Sequence, residues 1–128
     1  PLARKPYFGL PFPNSMTTPK LIADLSISST LQACKQALGD HYGNRLNGLL
    51  LFGSTARQAM PPRSDIDLLG LLKPPLNYFA ALRTIVDVLY HLQIDASHWI
   101  AAKPASLEAL GAGITQLYRN IQKEGIRL

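Results

Sequence analysis

Two acidic residues separated by one isoleucine, Asp65-Ile66-Asp67, open the apolar run DIDLLGLL. In an extended strand, residues two apart point to the same face, so both carboxylates emerge side by side. Like charges that close, with burial starting directly behind them, are costly unless a cation sits between them. Mg²⁺ suits such a pair, because it takes one or two carboxylates and fills the rest of its shell with phosphate oxygens. A lone Asp-x-Asp has a plainer and commoner reading, in which Asp65 caps the turn after Pro62 and Asp67 faces solvent. Gly53-Ser54, at the end of the run LNGLLLF, shifts the balance. A strand that ends in Gly-Ser and passes into a helix presents free backbone N–H groups and a hydroxyl. The glycine permits close approach and the helix N-terminus favours negative charge, which together make a phosphate cradle. Arg57 lies one helical turn beyond Ser54 and can face the same anion. Taken alone, this segment is an ordinary turn with Ser54 as its N-cap.

These residues need elements to hold them. Ser26 to Leu38 places Leu31, Cys34, Lys35 and Leu38 at helical spacing, with Ser28 to Thr30 as caps and Gly39 and Gly43 bracketing the end. Leu46 to Phe52 reads as a buried strand stopped by Gly53, and Thr55 to Met60 as a helical turn or two closed by Pro61-Pro62. Asp65 to Leu72 is a second buried strand, ended by Pro74-Pro75. Leu76 to Leu92 reads as an amphipathic helix with Phe79, Leu82, Val86, Leu89 and Leu92 on one stripe. Gln93 to Ala102 is expected to be a third strand, and Pro104 to open a helix that Gly111 to Gly113 interrupt. Ile114 to Lys123 resumes the helix with Leu117, Tyr118 and Ile121 inward, Gly125 caps it, and Ile126 to Leu128 adds a short strand. The expected fold is an α/β (α+β) sandwich, a small mixed sheet flanked by helices.

The stretch LLLFGSTARQAMPPRSDIDLLGLL, with Gly-Ser, ten intervening residues and then Asp-x-Asp, is stronger than its parts. It resembles the signature of the minimal nucleotidyltransferases of the DNA polymerase β-like superfamily: an apolar strand, then G-S-x-A-R-G, then S-D-I-D-L. Gln58 departs from the pattern, standing where that family usually has glycine. The resemblance covers about residues 28–128 and implies a third carboxylate on a neighbouring strand. Asp95 fits this, on the more polar face of the expected strand with Gln93, Ser97 and Trp99, whereas Asp87 falls mid-helix. It further implies that Asp65, Asp67 and Asp95 are catalytic and hold two Mg²⁺ ions. Gly53 and Ser54 would hold the triphosphate of ATP, with Arg57 and Ser64 or Arg63 assisting. The chemistry implied is in-line displacement at the α-phosphate with pyrophosphate leaving.

Composition sets the outer limits. The chain has 128 residues, 47% of them hydrophobic and 16% charged, enough for one core and unlike a disordered polyelectrolyte. Thirteen Lys and Arg against eight Asp and Glu give +5, a field that suits an anionic ligand, but the basic residues are scattered and form no track for nucleic acid. Cys34 is the one cysteine and falls on an apolar stripe, so neither a disulfide nor a multi-cysteine metal site arises. His41, His91 and His98 share no ligand spacing, and Trp99 is read as packing ahead of stacking on a base. Residues 1–15 read as an extended arm or a cloning remnant, and 16–128 as one minimal nucleotidyltransferase domain. With no apolar h-region and no run long enough to span a bilayer, a cytoplasmic setting is expected.

So small a domain is expected to leave the acceptor to another chain or to a shallow surface. Minimal members of the family are commonly antitoxins that transfer AMP from ATP to a tyrosine of a helical HEPN ribonuclease toxin, which the resemblance makes the expected activity and partner. A small-molecule nucleotidyltransferase subunit, or an antitoxin acting by binding alone, are the alternatives. Homo-oligomerisation stays open.

Overall fold

The computed structural model describes residues 25–53 and 65–128. The order is α1 (Leu25–Tyr42), a 3₁₀ turn (Gly43–Arg45), β1 (Leu46–Phe52), β2 (Ile66–Leu72), α2 (Tyr78–Asp95), β3 (Ile100–Ser106), α3 (Leu107–Ala112), α4 (Gln116–Glu124) and β4 (Ile126–Arg127). The strands form one mixed sheet in the order β3-β2-β1-β4. β1 runs antiparallel to β2 and to β4, whereas β2 and β3 are parallel. The expected α/β architecture, a small mixed sheet flanked by helices, is the one observed.

The pleat divides the sheet residues into two cores. Leu49 and Leu51 of β1, Ile66 and Leu68 of β2, and Ile100 of β3 face α1 and α2, whose Ile27, Leu31, Cys34, Leu38, Ile85 and Leu89 complete that layer. Leu50 and Phe52, Leu69 and Leu71, and Ala105 face the other way, under Leu110 of α3 and Ile121 of α4. Apart from Asn47 and Asp67, both inner strands are apolar because both of their faces are covered. The short helices are pinned by their caps. Ser106 Oγ accepts from Ala109 N at 3.0 Å and Thr115 Oγ1 from Tyr118 N at 3.1 Å, satisfying donors that a helix leaves open at its first turn.

Several boundaries differ from the sequence reading. α1 runs through Gly39 to Tyr42. α2 begins after Asn77, whose side chain caps Ala80 N at 3.1 Å, and continues through Gln93, Ile94 and Asp95, the residues expected to start a strand. The third strand is Ile100–Ser106, so Pro104 lies within an edge strand instead of opening a helix. An edge tolerates a residue without an N–H. The inward stripe of α2 is centred on Ile85 and Leu89, leaving Phe79 and Val86 exposed. In α4, Ile121 is buried and Tyr118 half-buried, while Leu117 is exposed. The helical turn expected over Thr55 to Met60 lies outside the described residues.

Candidate active site

The site is built at one edge of the sheet, where β1 ends and β2 and β3 begin. Antiparallel pairing sets Phe52 opposite Asp67, and parallel pairing sets Asp67 beside Ala101. Asp67 shares its face with Leu69 and Leu71, the side that α3 and α4 cover further along the strand. It is half-buried there, and Asp65, immediately before the strand, is exposed. Ile66 between them is fully buried on the opposite face, and its N–H donates to the Trp99 carbonyl at 2.7 Å. That burial fixes the pleat, and the pleat aims Asp67 away from α1 and α2.

Gly53 closes the site from β1. Its φ is +76°, a conformation that side chains other than glycine's rarely adopt. A Cβ at this position would run into the Asp67 carboxylate. The first residue of the expected phosphate cradle therefore lies directly against one of the expected metal-binding carboxylates. Ser54, Arg57, Arg63 and Ser64 lie outside the described residues.

Asp95 is placed elsewhere. It is the last residue of α2, exposed, and not on a strand beside β2. α2 packs through Ile85 and Leu89 against the face of β2 that carries Ile66 and Leu68, the reverse of the face carrying Asp67. The helix overrides the expected strand because its end is tied into the sheet by Gln93. The Gln93 Nε2 donates to the His98 carbonyl at 3.0 Å, and its Oε1 accepts from Ile100 N at 2.6 Å. Among the described residues, no three His, Cys, Asp or Glu side chains come together as a metal-ligand cluster. Asp65 and Asp67 suit one divalent cation shared with phosphate oxygens. The strand neighbours of Asp67 are Phe52 on β1 and Ala101 on β3, so the sheet itself adds no further carboxylate beside it.

The remaining candidates sort by burial. Cys34 is fully buried in the core between α1 and the sheet, and burial pushes its thiol pKa up to about 11, which suits packing and not nucleophilic attack. Trp99, expected to pack, is 63% exposed and lines an apolar groove with Tyr90, Leu89 and Ile85 on the α2 side of the sheet. Among the described residues, no helix is long and apolar enough to cross a membrane.

The family model described as "Nucleotidyltransferase domain" matches residues 31–128. This chain belongs to the nucleotidyltransferase-domain family. The match begins inside α1 and runs to Leu128, so it spans every strand and both carboxylates. Among solved structures, the chain is similar to a candidate nucleotidyltransferase from Sulfolobus solfataricus, whose crystal structure is at 1.40 Å resolution. The identity is 18% and the TM-score 0.43, with 80% of this chain and 84% of that one covered. No curated protein matches the chain.

Proposed function

We propose that this nucleotidyltransferase domain moves AMP from ATP to a hydroxyl on a second protein, and that the acceptor is a tyrosine of a HEPN-type ribonuclease toxin for which this chain is the antitoxin. The observation that supports the reading is the closeness of the Asp67 carboxylate to Gly53, where an added Cβ would run into it, at the edge where β1 ends and β2 begins. One residue from each half of the sequence signature is thus found at this edge.

Asp65 and Asp67 hold the cation. A bound Mg²⁺ supplies charge neutralisation on the phosphate oxygens as pyrophosphate leaves. The Gly53-Ser54 turn receives the β- and γ-phosphates through backbone N–H groups and a hydroxyl, with Arg57 and Ser64 adding positive charge and a further donor. With the triphosphate fixed in this way, an acceptor hydroxyl presented in line with the bridging oxygen attacks the α-phosphorus.

The test is intact-mass spectrometry of the HEPN partner after incubation with this chain, Mg²⁺ and ATP. The expected result is an added mass of one or more AMP units, absent with the Asp65→Ala/Asp67→Ala chain. A stable complex of the two proteins without any added mass would reject transfer in favour of neutralisation by contact.

A further inference from the structure

We propose that two copies of this chain pair through the outer face of α2, with Phe79 of each copy seated beside Tyr90 in the apolar groove of the other. This pairing lies behind the sheet and is independent of the chemistry proposed at Asp67.

A helix that covers a sheet with one stripe is expected to turn polar side chains to water on the other. α2 does not. Its buried residues are Ile85 and Leu89, yet Phe79 is 76% exposed, Tyr90 64% and Val86 55%. Val86, Tyr90 and Ile94 follow one another at four-residue steps, and Phe79 lies seven residues before Val86, so all four share a second stripe along the helix. Of the eight large apolar side chains exposed among the described residues, five stand on α2. Single exposed apolar residues need no explanation, whereas a contiguous patch marks an interaction surface.

The patch has both a projection and a hollow. The hollow is the groove toward β3, lined by Val86, Leu89, Tyr90 and Trp99. The projection is Phe79, braced edge-on by Tyr78 with ring centroids 5.3 Å apart. Phe79 and Tyr90 lie about 16 Å apart along the same rigid helix, so Phe79 cannot enter the groove of its own copy.

A two-fold axis at the level of Ile85 brings projection and hollow together. In an antiparallel pair of α2 helices about that axis, Phe79 of one copy lies at the level of His91 of its partner, beside Tyr90 and the groove. The same axis sets Val86 against Val86 of the partner at the centre, which suits helices packed about 8–10 Å apart. It also sets Arg83 level with Asp87 of the partner, and symmetry repeats the pair, as an isologous interface requires. All four charged side chains are exposed and fall on one flank of the apolar stripe. Charge therefore selects the register, since an axis at Val88 would set Asp87 beside Asp87 of the partner. At about 150–250 Å² for a buried aromatic side chain, Phe79 and Tyr90 with Val86 and the charged flank bury about 1,000 Å² in total, enough for a specific interface. Both Asp67 edges stay uncovered, because α2 packs on the reverse face of the sheet.

Sedimentation equilibrium of the full chain at about 100 μM tests the pairing. The expected mass is twice that of one chain, falling to that of one chain in Phe79→Ser and in Val86→Glu, both at exposed positions outside the core. Arg83→Asp and Asp87→Arg are each expected to weaken dimerisation about tenfold, since every change acts twice at a symmetric interface. Arg83→Asp/Asp87→Arg together should restore it. A single-chain mass for the unaltered chain would overturn the proposal and leave the groove to another segment of the chain or to a different protein. A dimer indifferent to Phe79→Ser and to the charge exchange would overturn it equally, by putting the interface elsewhere.

Discussion

On one face of the sheet, Ile66 and Leu68 lie beneath two helices of 18 residues each, α1 and α2. On the other, Leu69 and Leu71 lie beneath α3 and α4, of 6 and 9 residues. Asp67 continues that second face toward the edge where β1 ends, and it is only half-buried. The two faces are made by the same strands in strict alternation, yet one contributes mainly packing and the other holds the carboxylate of the proposed site. The difference arises from how far each cover extends. A long amphipathic helix buries a strand along its length, whereas a short capped pair buries two residues and leaves the third at the rim. A carboxylate can stand there because water, a cation or a phosphate can reach it.

The sharpest way to test this division is to remove charge from one face and volume from the other. Asp67→Ala is expected to lower nucleotidyl transfer by about 10²–10³, the equivalent of the several kcal/mol a bound cation supplies at a phosphoryl centre. Asp65→Ala is expected to behave alike, and both should keep the urea midpoint near that of the parent chain. Asp95→Asn, at the end of α2, should keep transfer within about twofold; a loss comparable to that of Asp67→Ala would put the third carboxylate back in the site. Leu68→Ala on the opposite face should do the reverse. Its side chain is fully buried against α1 and α2, and its truncation is expected to cost about 2–5 kcal/mol of stability, read as a lower urea midpoint. The folded fraction should retain its affinity for nucleotide.

Gly53→Ala probes the join between the strands. With φ at +76° and the Asp67 carboxylate in the path of a Cβ, the substitution is strained in backbone and in contact at once. About 1–3 kcal/mol of destabilisation is expected from the backbone alone. The displaced carboxylate should raise KM for the nucleotide about tenfold. An unchanged KM alongside a lowered melting temperature would mean that Gly53 serves the turn and not the site.

The sequence made some of this arrangement readable and hid the rest. LNGLLLF and DIDLLGLL were legible as buried strands because each holds a short, mainly apolar run with a turn signal at its end. Gly53 and Asp67 stand at the strand ends expected of them, whereas Asp65, expected to open the strand, falls just before it. Asp95 was misplaced because Gln93 to Ala102 contains no glycine or proline to mark where helix becomes strand. The boundary is set instead by the Gln93 side chain gripping the first residues of β3, a tertiary contact without a local signature. The α2 stripe fails for a related reason. Phe79-Leu82-Val86 and Leu82-Ile85-Leu89 are both acceptable helical stripes, and only the pairing with β2 and α1 selects the second. Ser54, Arg57 and Ser64 lie outside the described residues, so their part of the signature rests on the sequence pattern.

The smallest effect, and the one that asks whether the two faces are coupled, is at Cys34. Its thiol is fully buried in the layer under α1, and burial raises its pKa from 9.0 to about 11. The folded chain therefore holds this proton more tightly than the unfolded chain. The associated stability is complete below pH 9 and is lost as pH rises from 9 toward 11, so urea midpoints should fall across that window and not below it. At pH 8 the folded thiol is ionised to about one part in a thousand, and alkylation by iodoacetamide must wait for α1 to open. Labelling should be slow in the native chain and prompt in urea. Adding Mg²⁺ and ATP should leave the native rate almost unchanged if the site face and the packed face are independent. A strong slowing would mean that nucleotide at the Asp67 edge clamps α1 as well, through the strands the two faces share.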